Sequence, residues 1–268
     1  MQAPKSNEIF KFYPAHTPFI GILSIPHSGE EIPDEFRPYL YDDFARLSRD
    51  VDTGVHELVD IEKLNKNGIS VIKANIHRIC IDLNRPMQNS MLNWKKNSHG
   101  EITVTQEPDD ETREKFQLKY HAPYYEMLKA LINELIGLYP KASFVDLHSM
   151  PSLATDYHLK INPKQDKHRP DFCLSDVNGE SCEASFIQTF KSHFDKKYSN
   201  VKINDPYFGG NVTREINNLF PNINNIQIEI SRGLYLDETN RSMLEEKAAN
   251  LKENLTDILI QSFKEVLK

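Results

Sequence analysis

Two histidines, several carboxylates and a few arginines in this 268-residue chain stand where short apolar runs end. His27 follows the run 19–25 and His148 follows 143–147, while Asn84 and Arg85 follow Cys80-Ile81-Asp82-Leu83. Two imidazoles and one carboxylate from separate loops make a three-ligand metal site with a fourth position open to water, and zinc or another divalent transition metal suits that set. The third ligand is open between Asp52, in Asp50-Val51-Asp52-Thr53-Gly54, and Glu30, which stands at His-x-x-Glu spacing after His27. Taken singly, either histidine reads as an ordinary hydrogen-bonded residue. Asp50 and Asp52 likewise read as caps of a helix beginning near Val55. Their shared place at strand ends favours a site, because ligands of open α/β sheets bind beyond the carboxyl ends of the strands.

Glu229 lies between Ile228 and Ile230, where an ionised carboxylate is costly unless paired or functional. As a functional residue it would be the general base, its pKa lifted by apolar neighbours, taking a proton from water. The competing reading places it on an edge strand, facing solvent in an alternating pattern. Arg78, Arg85 and Arg214 are the candidate anion holders, because a guanidinium fork binds a carboxylate through two hydrogen bonds. Arg85 is wedged between Asn84 and Pro86, and Arg214 follows Gly209-Gly210-Asn211-Val212-Thr213, a loop able to approach a ligand closely. Arg78 is also suited to stabilising an oxyanion beside the metal. A serine hydrolase is disfavoured: Ser28 and Ser149 each adjoin a histidine, but there is no Gly-x-Ser-x-Gly elbow.

The elements that must position these groups read as strands alternating with helices, the pattern of a parallel or mixed sheet. Strands are expected at 19–25, 70–76, 143–147 and 226–230. Tyr124, Leu128, Leu131, Leu135 and Leu138 form one stripe of a helix that Pro140 ends. Leu244, Ala248, Leu251, Leu255, Leu259 and Val266 line a final helix from about Asn240, a stripe that reads as core packing. No repeat or composition break divides the chain, so residues 1–268 read as one domain. The segments 86–111 and 151–180 are the long loops, read as lids, binding loops or plain insertions.

Composition narrows the partners. With 32 Lys+Arg against 39 Asp+Glu the formal charge is −7, and no long basic run offers an electrostatic footprint for nucleic acid. An anionic ligand must therefore be held by a few local arginines. The longest mostly apolar stretch, 19–26, falls far short of the ~20 residues of a membrane span, and residues 1–13 carry no signal-type apolar core. These features lead us to expect a cytoplasmic protein without membrane partners. Cys80, Cys173 and Cys182 are odd in number and scattered, so they read as buried thiols.

Six motifs in order and spacing resemble the N-formylglutamate amidohydrolase family. They are Pro26-His27-Ser28-Gly29 with Ile32-Pro33, Asp50-Val51-Asp52, Arg78 with Asp82-Leu83-Asn84-Arg85-Pro86, Asp146-Leu147-His148-Ser149, Gly209-Gly210 with Thr213-Arg214, and Gln227-Ile228-Glu229 before Tyr235-Leu236-Asp237-Glu238. The resemblance spans about residues 19–240. Its Asp-Leu-Asn-Arg and Asp-x-His-Ser pieces also look like those of zinc carboxypeptidases, implying a related α/β fold with a mixed, mostly parallel sheet flanked by helices. It implies hydrolysis of N-formyl-L-glutamate to formate and glutamate, a late step of histidine degradation. It further implies His27, Asp52 and His148 as metal ligands, Glu229 as base, and Asn84, Arg85 and Arg214 as holders of a small anionic substrate. The rival readings are a zinc carboxypeptidase, a deacylase of another N-acyl amino acid, and a non-catalytic binder of an acidic metabolite. Retention of His27, His148 and Glu229 disfavours the last.

Overall fold

Ile226, Ile228 and Ile230 turn to one side of their strand and Gln227 and Glu229 to the other, the period-two alternation of a pleated strand. That alternation organises the molecule. The computed structural model describes residues 5–6, 9–16, 18–93, 95–139 and 141–267. Its main sheet contains β1 (Lys5–Ser6), β2 (Phe10–Tyr13), β3 (Gly21–Ile25), β4 (Ile69–Ala74), β5 (Ser143–Met150), β6 (Phe172–Ser175), β7 (Val201–Ile203) and β8 (Asn224–Ser231). They lie in the order β1-β2-β4-β3-β5-β8-β6-β7. The central strands β4, β3, β5 and β8 are parallel, while β2 and β6 join the two flanks antiparallel.

Among the described residues eight α-helices surround it: α1 (Phe44–Leu47), α2 (Ile61–Lys66), α3 (Asp110–Tyr120), α4 (Ala122–Leu138), α5 (Asp156–Ile161), α6 (Ala184–Asp195), α7 (Asn211–Leu219) and α8 (Glu245–Glu265). On one face Leu23, Ile25, Val145, Leu147 and the three β8 isoleucines pack against Phe190 and Phe194 of α6 and Leu255, Leu259 and Phe263 of α8. On the other, Ile22 and Phe144 meet Tyr124, Leu128, Leu131 and Leu135 of α4. Ser24, Asp146, His148, Gln227 and Glu229 share this second face, so one side of the sheet is wholly core and the other is partly polar. The result is an α/β fold with a mixed sheet, parallel at its centre and flanked by helices.

All four expected strands form, with ends shifted by a few residues. His148 lies inside β5 and not after it. The run 80–83 is not a strand but a turn-rich connection after β4, tied by the Cys80 N–H to the His77 carbonyl and by a single bridge between Ile81 and Met91. Cys80, Ile81 and Leu83 are apolar because they enter the α4-side core, not because they pair in a sheet. The final helix starts at Glu245, since Leu236–Asp237 and Ser242–Met243 form a short hairpin before it. Leu244 and Val266 therefore only flank the helix. Leu138, placed in the buried stripe of α4, is exposed, and Pro140 lies outside the described residues. Segment 151–180 contains α5 and β6 and is not a plain loop. Cys80 and Cys173 are buried, whereas Cys182 is only partly so. Among the described residues no helix is long and apolar enough to cross a membrane.

Candidate active site

Pro26 and His27 continue directly from β3, and the His27 carbonyl accepts the Asp52 N–H at 3.0 Å. This backbone bond clamps the 50–54 turn against the strand end. Asp52 caps nothing: Gly54 precedes the short 3₁₀ turn Val55–Leu58 and no side chain caps it, while Asp50 takes the Ser98 hydroxyl and N–H. Asp52 instead turns Oδ2 to His148 Nδ1 at 3.1 Å and to His27 Nδ1 at 3.8 Å. Its Oδ1 accepts from Arg232 Nη2 and Ser149 Oγ, both at 3.1 Å. His27, Asp52 and His148 offer ligand atoms that all lie within 4.8 Å of one another, and all three residues are buried. Glu30 is exposed and points elsewhere than this cavity. Of the two carboxylates left open by sequence, only Asp52 joins the histidines.

Each imidazole is held from behind. His27 Nε2 is 2.7 Å from Asp82 Oδ1, and His148 Nε2 is 2.7 Å from Asp146 Oδ2. A carboxylate on the far nitrogen fixes tautomer and ring orientation and turns the Nδ1 lone pair toward Asp52, an arrangement typical of histidines that bind metals. Burial works against ionising Asp52, but the hydrogen bond and charge of His148, with the charges of His27 and Arg232, hold its carboxyl below the usual range. Burial likewise opposes charging His148, yet Asp146 and Asp52 raise its pKa well above the ordinary value. Burial and the Arg78 charge lower His27 to about 4. Two nitrogens and one carboxylate oxygen meeting at one point fit a divalent transition metal.

Asp82 is fixed by three donors: His27, Arg78 Nη2 at 2.9 Å and the Asn84 N–H at 3.0 Å. Asn84 Oδ1 accepts the Val212 N–H of the first turn of α7 at 2.8 Å. Gly210 leaves room for this contact, because an added Cβ would lie 2.2 Å from Asn84 Nδ2 and displace the amide. The first turns of α4 support the same loop: the Tyr125 hydroxyl donates to the Leu83 carbonyl at 2.8 Å, and His121 Nε2 sits 2.9 Å from the Arg85 carbonyl. Arg85 is half-buried, whereas Arg214 is exposed at the rim with Nε donating to the Gly209 carbonyl at 3.3 Å.

Glu229 is opposite His148 in the β5/β8 register and opposite Cys173 on β6, so β8 is an interior strand and the edge-strand reading fails. Glu229 is 7% exposed, and its Oε1 accepts from Gln227 Nε2 at 2.6 Å. Burial pushes its carboxyl up to about 7 against the pull of the His148 charge. His27, Asp52, Arg78, Asn84, Arg85, His148, Arg214 and Glu229 all line one cavity of about 390 Å³, whereas the other candidate ligand, Glu30, does not.

The sequence profile of the N-formylglutamate amidohydrolase family matches residues 20–236, a span that includes every one of these side chains. The chain belongs to that family. It is similar to an N-formylglutamate deformylase of Pseudomonas putida, at 26% identity over 245 residues and 87% of each chain. In fold it is similar to an N-formylglutamate amidohydrolase from Ralstonia eutropha, with a TM-score of 0.83, 22% identity and coverage of 97% of this chain and 99% of that one. A gene product of Agrobacterium tumefaciens aligns with a TM-score of 0.74 at 16% identity, over 98% and 97% of the two chains.

Within this amidohydrolase-family cavity, sequence reasoning passed over Arg169, Arg232, Tyr207 and His158, and gave Ser149 no part in the site. Arg232 was within reach of the strand-end rule, since it directly follows β8. Arg169 had no such signal, because β6 itself was read as loop.

Proposed function

We propose that this member of the family is a metal-dependent deformylase that cleaves N-formyl-L-glutamate to formate and L-glutamate, a reaction belonging to histidine degradation. The observation that carries this reading is the meeting of His27 Nδ1, His148 Nδ1 and Asp52 Oδ2 beside Glu229, in a cavity walled by arginines. His27, Asp52 and His148 would hold the metal, with zinc suited to their two nitrogens and one oxygen. When bound, such an ion polarises the scissile carbonyl and makes water more acidic.

The chain's own residues do the rest. Asn84 Nδ2 and the Arg85 guanidinium receive a substrate carboxylate, and Arg214 at the rim draws the anion inward against the negative net charge. Glu229, with its carboxyl near 7, accepts the proton of the attacking water and then delivers it to the departing nitrogen, so a single group serves as base and acid. Arg78 lines the same cavity and offers positive charge to the oxyanion that develops on the formyl carbon. Gln227 keeps Glu229 aimed by its hydrogen bond.

The test is formate release from N-formyl-L-glutamate by protein loaded with zinc and by protein stripped with a chelator. Turnover by the first and its loss in the second are expected. A zinc-loaded protein that releases no formate, but cleaves C-terminal residues from peptides, would replace this reading with the carboxypeptidase one.

A further inference from the structure

Arg232 and Arg169 are the cavity's most deeply buried arginines, each 6% exposed. Arg232 is paired with Asp52 at 3.1 Å. Arg169 is not: Nη1 donates to the Tyr207 hydroxyl at 2.6 Å and Nη2 to Gln165 Oε1 at 3.2 Å, both neutral groups. Its Nε has no hydrogen-bond partner, and among the described residues no carboxylate oxygen lies within 4.0 Å of its guanidinium. A buried guanidinium without an anion is costly, so its retention calls for an anion that arrives from outside. The Tyr207 ring faces the guanidinium at 5.0 Å and holds it from one side. Because the Tyr207 oxygen accepts from Arg169, its own proton remains to be donated to a ligand.

We infer that Arg169, with the Tyr207 hydroxyl, forms a second carboxylate subsite that selects acidic side chains on the substrate. This inference rests on the deformylase reading and deepens it. The place in the sheet fits: Asn84 and Arg85 follow β4, His27 and His148 stand on β3 and β5, Glu229 on β8, and Arg169 leads into β6 beyond them. A substrate whose amide lies over His148 and Glu229 therefore has one arginine on each side. N-formylglutamate carries two carboxylates, and the subsite takes the one on its side chain.

The experiment compares N-formyl-L-glutamate with N-formyl-L-norvaline, which lacks the side-chain carboxylate, in wild type, Arg169→Gln and Arg169→Lys. The wild type is expected to prefer the acidic substrate in kcat/KM by on the order of 10–100-fold, the size of a lost charged hydrogen-bond pair. In Arg169→Gln this preference should collapse towards one, mostly through KM for the acidic substrate, with Arg169→Lys in between. Preserved discrimination in Arg169→Gln overturns the inference, and so does an equal loss for both substrates, which marks a structural role. Titration with glutarate and with butyrate gives a readout independent of turnover: glutarate should bind the wild type at least tenfold more tightly than it binds Arg169→Gln, and butyrate about equally. If the wild type deformylates nothing, the deformylase reading fails, while the glutarate titration still decides the subsite. Thermal melts and unchanged turnover of the norvaline substrate show that each variant is folded.

Discussion

The rings of His27 and His148 meet edge to face with 4.7 Å between centroids, and each hands its far nitrogen to a different aspartate. Asp82 and Asp146 therefore decide which nitrogen of each ring faces Asp52. Both aspartates are fully buried, so ring orientation is set before any ligand arrives. Such preorganisation separates a binding site from a chance cluster of polar groups.

His148→Ala is expected to purify without stoichiometric metal, measured by elemental analysis, and Asp52→Asn to bind it far more weakly. Glu30→Gln should keep full occupancy, because Glu30 lies outside the cavity. Asp146→Asn should lower metal affinity by roughly 10–100-fold. Stoichiometric metal in His148→Ala would remove His148 from the ligand set.

Replacing Glu229 with Gln should leave fold and metal content intact while kcat falls by on the order of 10²–10⁴-fold. Because burial lifts this carboxyl to about 7, the base form grows as pH rises, and kcat/KM should climb through neutral pH. The rising limb should vanish in the variant. A metal-loaded Glu229→Gln enzyme with near-normal kcat would leave Glu229 a structural residue of β8.

Arg85→Lys keeps the charge but loses the planar fork, and should weaken transition-state binding of an acidic substrate by about 1.5–3 kcal/mol. The check is kcat/KM for N-formyl-L-glutamate. Equal turnover by Arg85→Lys and the wild type would show that the fork is not used.

Gly210→Ala tests the close approach of α7 to Asn84. The new methyl would meet the Asn84 side-chain amide, so Asn84 must move and KM should rise, while metal content should stay unchanged because the atoms nearest the methyl belong to Asn84 and not to His27, Asp52 or His148. An unaltered KM would mean that Asn84 has room to relax without losing its ligand.

Acid should destabilise the fold through its buried neutral histidines. Burial and the Arg78 charge lower His77 from the usual 6.5 to about 3, and burial with the Lys73 charge lowers His56 from 6.5 to about 4. Between those values and 6.5 the unfolded chain binds protons that the folded chain refuses. The stability that neutral His77 and His56 contribute is therefore full above 6.5, falls as pH drops below it, and levels off once the folded-state values are passed, while the raised His148 and Glu229 act in the opposite direction. Urea midpoints at pH 7.5, 6 and 5 should decline in that order, and His77→Gln should show a shallower decline. A flat profile would mean that these histidines accept protons in the native state.

The residue types, the apolar runs that become β3, β4, β5 and β8, and the stripes of α4 and α8 were legible in the sequence. Strand and helix periods are local properties, repeated over several residues. The placing of His27 and Glu229 could be read for the same reason, since each is one or a few residues from such a run. Residue type and spacing left Asp52 and Glu30 open, because both stand in non-repeating turns where only the tertiary path sets side-chain direction, and it was the family resemblance that named Asp52. The run 80–83 has the apolar composition of a strand without being one, because burial in the α4-side core and pairing in a sheet demand the same apolar residues. Only the sheet order made β8 an interior strand, turning Glu229 from a solvent-facing group into one enclosed beside His148. The pairing of Arg232 with Asp52, 180 residues away, and the lack of a carboxylate partner for Arg169 among the described residues were likewise decided by the fold. A buried charge is defined by what surrounds it in space, and nothing in the neighbouring sequence records that.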